Sequence, residues 1–165
     1  MLDKLDIAIL RHLEADGRLS YAELGERTGL SKSPCWKRVQ ALEAAGVIQG
    51  YSARLDPQAL GLTTLAFVQV SVGFDRHAAF EAATVAHPAV LSCHATVGAT
   101  DYLLHIAMPS MAALDAFLRE TLWTLPGVER FTTTLAMRAI KDKGALMPSV
   151  EAAGFTSSRP PEPRR

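Results

Sequence analysis

The chain has few of the features that mark membrane, secreted or metal-binding proteins. None of its apolar runs approaches the roughly 20 residues of a membrane span, so we predict no transmembrane segment. The N-terminus lacks the basic and then apolar order of a signal peptide. Its two cysteines, Cys35 and Cys93, are too far apart to indicate a disulfide framework or a zinc site. These absences favour a cytoplasmic protein with no metal and no cofactor.

The chain also has no formal net charge at pH 7. The 165 residues include 17 Lys and Arg against 17 Asp and Glu, and residues 1–62 hold equal numbers of basic and acidic side chains. A nucleic-acid-binding domain usually has a basic footprint, so this balance is a mild argument against one. Any such site must depend on local charge. The hydrophobic content of 48% excludes a wholly disordered chain.

Residues 18–50, RLSYAELGERTGLSKSPCWKRVQALEAAGVIQG, have the pattern of a helix-turn-helix. Ser20 and Glu23 have the spacing of a capping box, which starts the first helix of the pair. Gly29 suits the left-handed backbone that ends a helix. Ser31 then caps the second helix.

The second helix of the pair has one apolar face and one polar face. Cys35, Val39 and Leu42 recur at spacings of four and three, so we expect them to form a buried stripe. A small, polar and cationic opposite face suits a groove of negative charge. The expected DNA contacts are Ser31, Ser33, Lys37, Arg38 and Gln40, with Lys32 as a phosphate contact. The alternative is a helical hairpin whose basic side chains are simply solvated.

The flanking segments extend this motif to a winged helix-turn-helix. Upstream, the apolar residues of LDKLDIAILRHLEADG form the stripe of an amphipathic helix that ends at Gly17. Downstream, residues 49–55 (QGYSARL) can form a short strand or wing. We therefore predict a DNA-binding domain over residues 1–50, followed by a wing strand and linker over residues 51–62.

The second half of the chain alternates strand and helix patterns. A βαββαβ order is the ferredoxin-like arrangement, in which both helices cover one face of an antiparallel sheet. The predicted fold class is therefore α+β, with this domain over residues 63–148 and a Pro-rich disordered tail over residues 149–165. The predicted strands are 63–74, 90–97, 102–108 and 128–141, and the predicted helices are 76–86 and 110–124.

Helices on one side leave the other face of this sheet without a partner. Leu65 and Phe67 point to that face, because side chains alternate along a strand. Burying them against a second copy gives a homodimer, and a two-fold protein places two recognition helices on a palindromic DNA site. The alternative is that both side chains pack on the wing or linker of their own chain.

Four segments of the chain carry a family resemblance. They are residues 2–51, LDPQALG (55–61), VGATDYLLHI (97–106) and LPGVERFTTTLAMRAIK (125–141). In this order and spacing they resemble the Lrp/AsnC family of leucine-responsive, or feast/famine, transcription regulators, and the resemblance covers residues 2–147. It implies a winged helix joined to a small-molecule-sensing domain. It also implies dimers and larger rings of dimers, for which an octamer of dimers is one possibility.

The segment VGATDYLLHI is the candidate effector site. Gly98 lets backbone N–H groups approach a ligand carboxylate, Asp101 can receive an α-amino group, and Thr100 or Tyr102 can supply hydroxyls. The family resemblance implies that this hairpin lines an amino-acid site with residues of the last strand nearby, here Thr132 and Thr134. The alternative is that residues 98–101 are simply a hairpin turn.

Two other functions remain open at this point. One is a ferredoxin-like dimeric enzyme, which would need a histidine or arginine cluster in the sheet cavity. The other is an amino-acid-binding module with a vestigial DNA-binding domain. The recognition helix, with its Lys37 and Arg38, instead favours a non-enzymatic regulator that binds double-stranded DNA and responds to an amino acid. We expect no catalytic residues.

Overall fold

The computed structural model describes residues 2–142 and 144–154, and the chain divides into two compact units. The helical unit comprises the chain up to Ala53 together with the segment from Lys141 onward. The sheet unit comprises Arg54–Ile140. No helix among the described residues is long and apolar enough to cross a membrane.

The described residues form α-helices and one antiparallel sheet. The helices are α1 (Lys4–Ala15), α2 (Tyr21–Thr28), α3 (Lys32–Ala44), α4 (His77–Ala86), α5 (Met111–Ala116) and α6 (Met147–Ala152). The strands are β1 (Thr64–Val72), β2 (Val90–Ala95), β3 (Tyr102–Met108) and β4 (Val128–Ala136).

Helices α2 and α3 begin directly after the predicted caps Ser20 and Ser31, and α1 ends at Ala15, two residues before the predicted Gly17. The capping box between Ser20 and Glu23 is confirmed, since each side chain accepts from the other residue's backbone N–H. Gly29 ends α2 with a φ of 72°, in the left-handed region. The predicted stripe of Cys35, Val39 and Leu42 is also confirmed. These side chains pack with Ile9 of α1 and Leu24 of α2 in the core of the helical unit.

The structure differs from the sequence-based expectation at the wing. Residues 49–62 contain turns but no strand. A strand is held by backbone hydrogen bonds to a neighbouring strand. The four strands found among the described residues all belong to the sheet unit, so the helical unit has none to pair with the segment QGYSARL.

Helix α6 lies in a region that the sequence divided between the sensing domain and the tail. The Glu14 carboxylate of α1 accepts from the backbone N–H groups of Leu146 and Met147, at 2.5 and 2.9 Å. Arg11 pairs with Glu151, and Met147 is buried. Residues 147–152 are therefore helical and packed on α1. The rest of the predicted tail, residues 155–165, lies outside the described residues.

The sheet has the predicted ferredoxin-like topology, with the strand order β2-β3-β1-β4 and antiparallel pairing throughout. The even-numbered residues of β1 and β3 point to one face. There they form a buried core with side chains from the helices, including Phe80, Leu114 and Leu122. We call the opposite side of the sheet the open face; it carries Leu65, Phe67, Gln69, Leu103, His105, Thr132 and Thr134.

Four elements of the sheet unit end earlier than predicted. Strand β1 stops at Val72 rather than Phe74. Strand β4 stops at Ala136 rather than Lys141, because Ala136 pairs with Leu65 at the start of β1. Strand β2 stops at Ala95, whose partner Tyr102 begins β3. The predicted helix 110–124 is α-helical only to Ala116 and continues as a π-helical turn (Phe117–Thr121) and a 3₁₀ turn (Leu122–Thr124).

A substitution at Gly25 tests the close packing of α2 against the following turn. A Cβ at this buried position would lie 2.5 Å from the carbonyl oxygen of Leu30. Gly→Ala in a helix interior ordinarily stabilises by roughly 0.5–1 kcal/mol, but overpacking costs about 1–3 kcal/mol. We therefore expect Gly25→Ala to lower the Tm measured by circular dichroism. The exposed Ala22→Gly variant gives the cost of helix propensity alone, and a raised Tm for Gly25→Ala would contradict this packing.

Candidate DNA and effector sites

The first turns of α3 present an exposed polar surface. Ser31 is the N-cap residue, with extended backbone angles (φ −76°, ψ 161°), and its hydroxyl makes no capping hydrogen bond within the described part of the chain. Lys32, Ser33 and Lys37 are also exposed. Trp36, which is not among the expected DNA contacts, is 46% exposed on the same side of the helix. This surface has hydroxyl, ammonium and aromatic groups accessible to a ligand.

Arg38 differs from its neighbours, and the structure corrects its expected exposure. Its Nη1 atom lies 2.7 Å from Asp3 Oδ2 and 2.7 Å from Asp6 Oδ1, and the residue is half-buried. Asp3 and Asp6 form the capping box of α1. A hydrogen bond from the Asp6 backbone, together with Arg38, lowers the pKa of the Asp3 carboxyl. Arg38 therefore joins α3 to α1, which its position in the sequence could not reveal.

Gln40 is exposed but already has a partner in the helical unit. Its Nε2 donates to Glu43 Oε2 at 2.8 Å, and the Tyr51 hydroxyl donates to Glu43 Oε1 at 3.1 Å. Burial, and then the neighbouring Glu43, raise the pKa of Tyr51 to about 12. Both oxygens of the acidic residue on α3 thus accept hydrogen bonds. Gln40 would have to release Glu43 before its amide nitrogen could donate to DNA.

The loop between β2 and β3 is the second candidate site. Three of its carbonyl groups are used inside the protein: Ala99 accepts from Arg130, Thr100 from the Thr96 hydroxyl, and Asp101 from the Thr96 N–H, at 2.7–2.9 Å. Among the described residues, the N–H groups of Gly98, Ala99 and Thr100 have no acceptor. Gly98 has a φ of 156°, which L side chains rarely adopt. The loop therefore presents backbone donors to the outside.

Asp101 fastens this loop to the central strand. Its N–H donates to the Val70 carbonyl at 3.0 Å, and its Oδ2 accepts from the Val72 N–H at 2.9 Å. The last regular pair between β1 and β3 is Val70 with Tyr102, the first residue of β3, so the Asp101 carboxylate continues the hydrogen-bond ladder into the loop that precedes β3. One carboxylate oxygen of Asp101 thus has a structural role in addition to the expected contact with an α-amino group.

Arg130 is a residue of this site that sequence reasoning missed. Its Nε donates to Ser71 Oγ at 3.0 Å and its Nη2 donates to the Ala99 carbonyl at 2.9 Å. Ser71 and Arg130 are register partners across β1 and β4, next to an irregularity at Ser71/Val72 that places one extra residue on β4. No sequence signal marks this arginine, because the contact depends on that register.

Tyr102 does not lie on the exposed side of this loop. This corrects the expectation that its hydroxyl is available to the effector. Tyr102 is buried among the core residues, and its hydroxyl donates to Glu81 Oε1 at 2.7 Å and lies 2.9 Å from His77 Nδ1. Burial, and then Glu81, raise the pKa of Tyr102 to about 12. The reason for the difference is strand alternation, which sends Tyr102 to the helix-covered face with Leu104.

Thr132 and Thr134 both lie on the open face, as the sequence predicts for residues two positions apart in one strand. They pair with Gln69 and Phe67 of β1, and both are exposed. Phe67 is 38% exposed, and its ring stacks on His105 with the centroids 4.6 Å apart. The open face is thus a mixed surface of threonines and partly exposed apolar groups.

Together, these features define a class of protein. A helix-turn-helix with an exposed polar recognition helix is joined to a ferredoxin-like domain whose strand loop presents unpaired donors. The family model of the Lrp/AsnC ligand binding domain matches residues 65–146, and that of a winged helix-turn-helix DNA-binding domain matches residues 2–49. The chain therefore belongs to the Lrp/AsnC family. It is a DNA-binding transcriptional regulator modulated by a ligand, and not an enzyme.

Known relatives match nearly the whole chain. The leucine-responsive regulatory protein of Salmonella typhimurium is 40% identical over 149 residues, which are 88% of this chain and 91% of that protein. A Neisseria meningitidis transcriptional regulator, crystallised as a complex with L-Met, is 40% identical, with a TM-score of 0.85 over 88% of this chain and 96% of that one. The leucine response regulatory protein of Mycobacterium tuberculosis is 34% identical, with a TM-score of 0.76 over 86% and 96%.

Lys37 and Arg38 are adjacent on α3, and we expect their substitution to have different effects. Lys37→Ala should weaken binding to a duplex selected from random DNA by about 1–3 kcal/mol and leave the Tm unchanged, because its side chain is exposed. Arg38→Ala should instead lower stability by on the order of 1 kcal/mol, because it removes the ion pairs to α1.

Fluorescence anisotropy and thermal unfolding separate these effects. The control is Lys4→Ala, an exposed lysine at the start of α1. If Lys37→Ala binds the duplex as the wild type does, Lys37 is not a DNA contact. If Arg38→Ala binds weakly at an unchanged Tm, Arg38 contacts DNA directly and the structural role is wrong.

Proposed function

We propose that this protein acts in the cytoplasm as a homodimeric regulator of transcription whose effector is an amino acid, bound at the loop between β2 and β3. The observation that carries this proposal is the arrangement of that loop. The carbonyl groups of residues 99–101 are held by the protein, whereas the N–H groups of Gly98, Ala99 and Thr100 are free of acceptors among the described residues. Successive unpaired backbone donors form a site suited to an anion such as a carboxylate.

The adjacent acidic residue supplies the opposite charge. Asp101 uses Oδ2 to accept from the Val72 N–H, which leaves Oδ1 for an ammonium group. Backbone donors beside a carboxylate match the two charged ends of an α-amino acid. The Neisseria relative was crystallised with L-Met, and the Salmonella relative is named for leucine, which supports the same ligand class here.

The open face carries further residues that we assign to the effector site and to the contact between two copies of the chain. We assign Thr100 of the loop and Thr132 and Thr134 of β4 to the surroundings of the ligand, and we leave Tyr102 out because its hydroxyl is bound to Glu81. We further propose that the exposed part of Phe67 and the half-buried Leu65 pack against a second copy. Such a dimer would present two α3 helices to a palindromic site on double-stranded DNA.

On α3, the exposed residues of the first turns are the proposed DNA contacts. Ser31, Ser33 and Lys37 face the base edges in this proposal, and Lys32 contacts phosphate. Gln40 would join them only by exchanging Glu43 for DNA, and Arg38 is assigned to the joint between α3 and α1. The DNA affinity should fall steeply with salt, because each phosphate contact releases counterions.

Thermal unfolding of the purified protein against the twenty amino acids tests the effector class. A ligand that binds only the folded protein at a hundred times its Kd adds roughly 2.7 kcal/mol to the free energy of unfolding. We expect a raised Tm with one or a few apolar L-amino acids and none with their D-enantiomers. If none of the twenty raises the Tm, the amino-acid proposal fails.

Two substitutions at Asp101 separate its charge from its structural hydrogen bond. Asp101→Asn keeps an oxygen that can accept from the Val72 N–H but removes the charge, whereas Asp101→Ala removes both. We expect both variants to lose the Tm increase given by the amino acid, and only Asp101→Ala to lose basal stability, by about 1–3 kcal/mol. DNA binding without effector should persist in Asp101→Asn. A full Tm response in Asp101→Asn would contradict the ammonium contact.

A further inference from the structure

Arg130 connects three parts of the sheet unit through one side chain. It is carried by β4, its Nε donates to Ser71 of β1, and its Nη2 donates to the Ala99 carbonyl in the loop between β2 and β3. Ser71 is only 8% exposed, so it gives the guanidinium a fixed partner on the sheet. Strand β4 has one extra residue opposite Ser71/Val72, directly beside Arg130. A β-bulge of this kind changes the direction of a neighbouring side chain.

The bond to Ala99 fixes the direction of an N–H group on the far side of the same peptide unit. The peptide bonds of the described residues are all trans. In a trans peptide unit, the C=O and the following N–H point in opposite directions. Because the Ala99 carbonyl points to Arg130, the N–H of Thr100 points away from it, and this N–H has no acceptor among the described residues.

We infer that Arg130 is a positioning residue for recognition of the effector carboxylate: by holding the Ala99 carbonyl, it aims the Thr100 N–H at the ligand. This inference rests on the proposed amino-acid site. The guanidinium lies on the carbonyl side of the peptide unit, so it acts through the backbone and not by contact with the ligand. Because this peptide unit is already fixed in the free protein, less conformational entropy of the loop is lost when the ligand binds.

An arginine suits this role for a geometric reason. The planar guanidinium presents several donors in a rigid fork, so Nε and Nη2 can reach two acceptors at once and fix each other's direction. A lysine has one flexible ammonium group, which cannot hold Ser71 Oγ and the Ala99 carbonyl in the same orientation. The charge alone should therefore not replace the arginine.

Calorimetric titration with L-Met and with its carboxamide, L-methioninamide, tests the inference. The two probes share the ammonium and the side chain, and only L-Met has the carboxylate. Arg130→Met and Arg130→Lys should both weaken L-Met binding about tenfold, which corresponds to the entropy of fixing roughly one residue's backbone. Binding of the carboxamide should change less than twofold. Ser71→Ala, which removes only the Nε partner, should give a smaller loss in the same direction.

The matched control is Arg119→Met, which removes an exposed arginine that pairs with Asp115 four residues earlier. It should leave both titrations unchanged. A readout without ligand is the ¹⁵N order parameter of the Thr100 amide, which should fall in Arg130→Met and Arg130→Lys while the sheet amides keep theirs.

Wild-type affinity for L-Met in Arg130→Lys would show that charge suffices, and would overturn the positioning role. Equal losses for L-Met and the carboxamide, or an unchanged Thr100 order parameter, would overturn it too. If the wild-type protein binds neither L-Met nor any other amino acid, the proposed function fails and this inference fails with it. If the wild type binds and Arg130→Met binds equally well, only the inference fails.

Discussion

The effector half of the molecule depends on the hydrogen bond between the Val72 N–H and the Asp101 carboxylate. This bond extends the β1–β3 ladder by one step, at the point where the loop ends and β3 begins. Together with the bond from the Asp101 N–H to Val70, it holds the end of the loop against the central strand. With that end fixed, Thr96 and Arg130 can occupy the loop carbonyls and leave the amides of residues 98–100 outward. One carboxylate thus shapes the site as well as providing its negative charge.

The chain has equal numbers of basic and acidic residues, yet the contacts of the charged side chains in its helical unit leave an exposed cationic surface on α3. Arg38 is held by Asp3 and Asp6, and Glu43 accepts from Gln40 and Tyr51. The acidic group on α3 is thereby bound, whereas Lys32 and Lys37 stay exposed. Residues 1–62 have equal numbers of basic and acidic side chains, so a cationic DNA-binding surface can arise only locally. Affinity then depends on a few side chains and on the pairing of two subunits.

Features set by near neighbours in the chain were predictable from the sequence. The capping box of Ser20 and Glu23, the left-handed Gly29 and the alternation of β1 each depend on residues a few positions apart. Contacts between distant residues were not predictable. Arg38 looks like a DNA contact until α1 brings Asp6 to it, and Arg130 has no motif until the β1–β4 register sets it beside Ser71. Tyr102 could have been placed correctly, since strand alternation separates it from Asp101.

Hydrogen–deuterium exchange over residues 96–101, with and without each amino acid that raises the Tm, tests the central claim most directly. A stabilising amino acid should slow exchange of the Gly98, Ala99 and Thr100 amides, because these groups acquire the ligand carboxylate as an acceptor. The same amides should exchange as in the free protein when the carboxamide is added. An amino acid that stabilises the protein while exchange in this loop is unchanged would place the effector elsewhere and contradict the account.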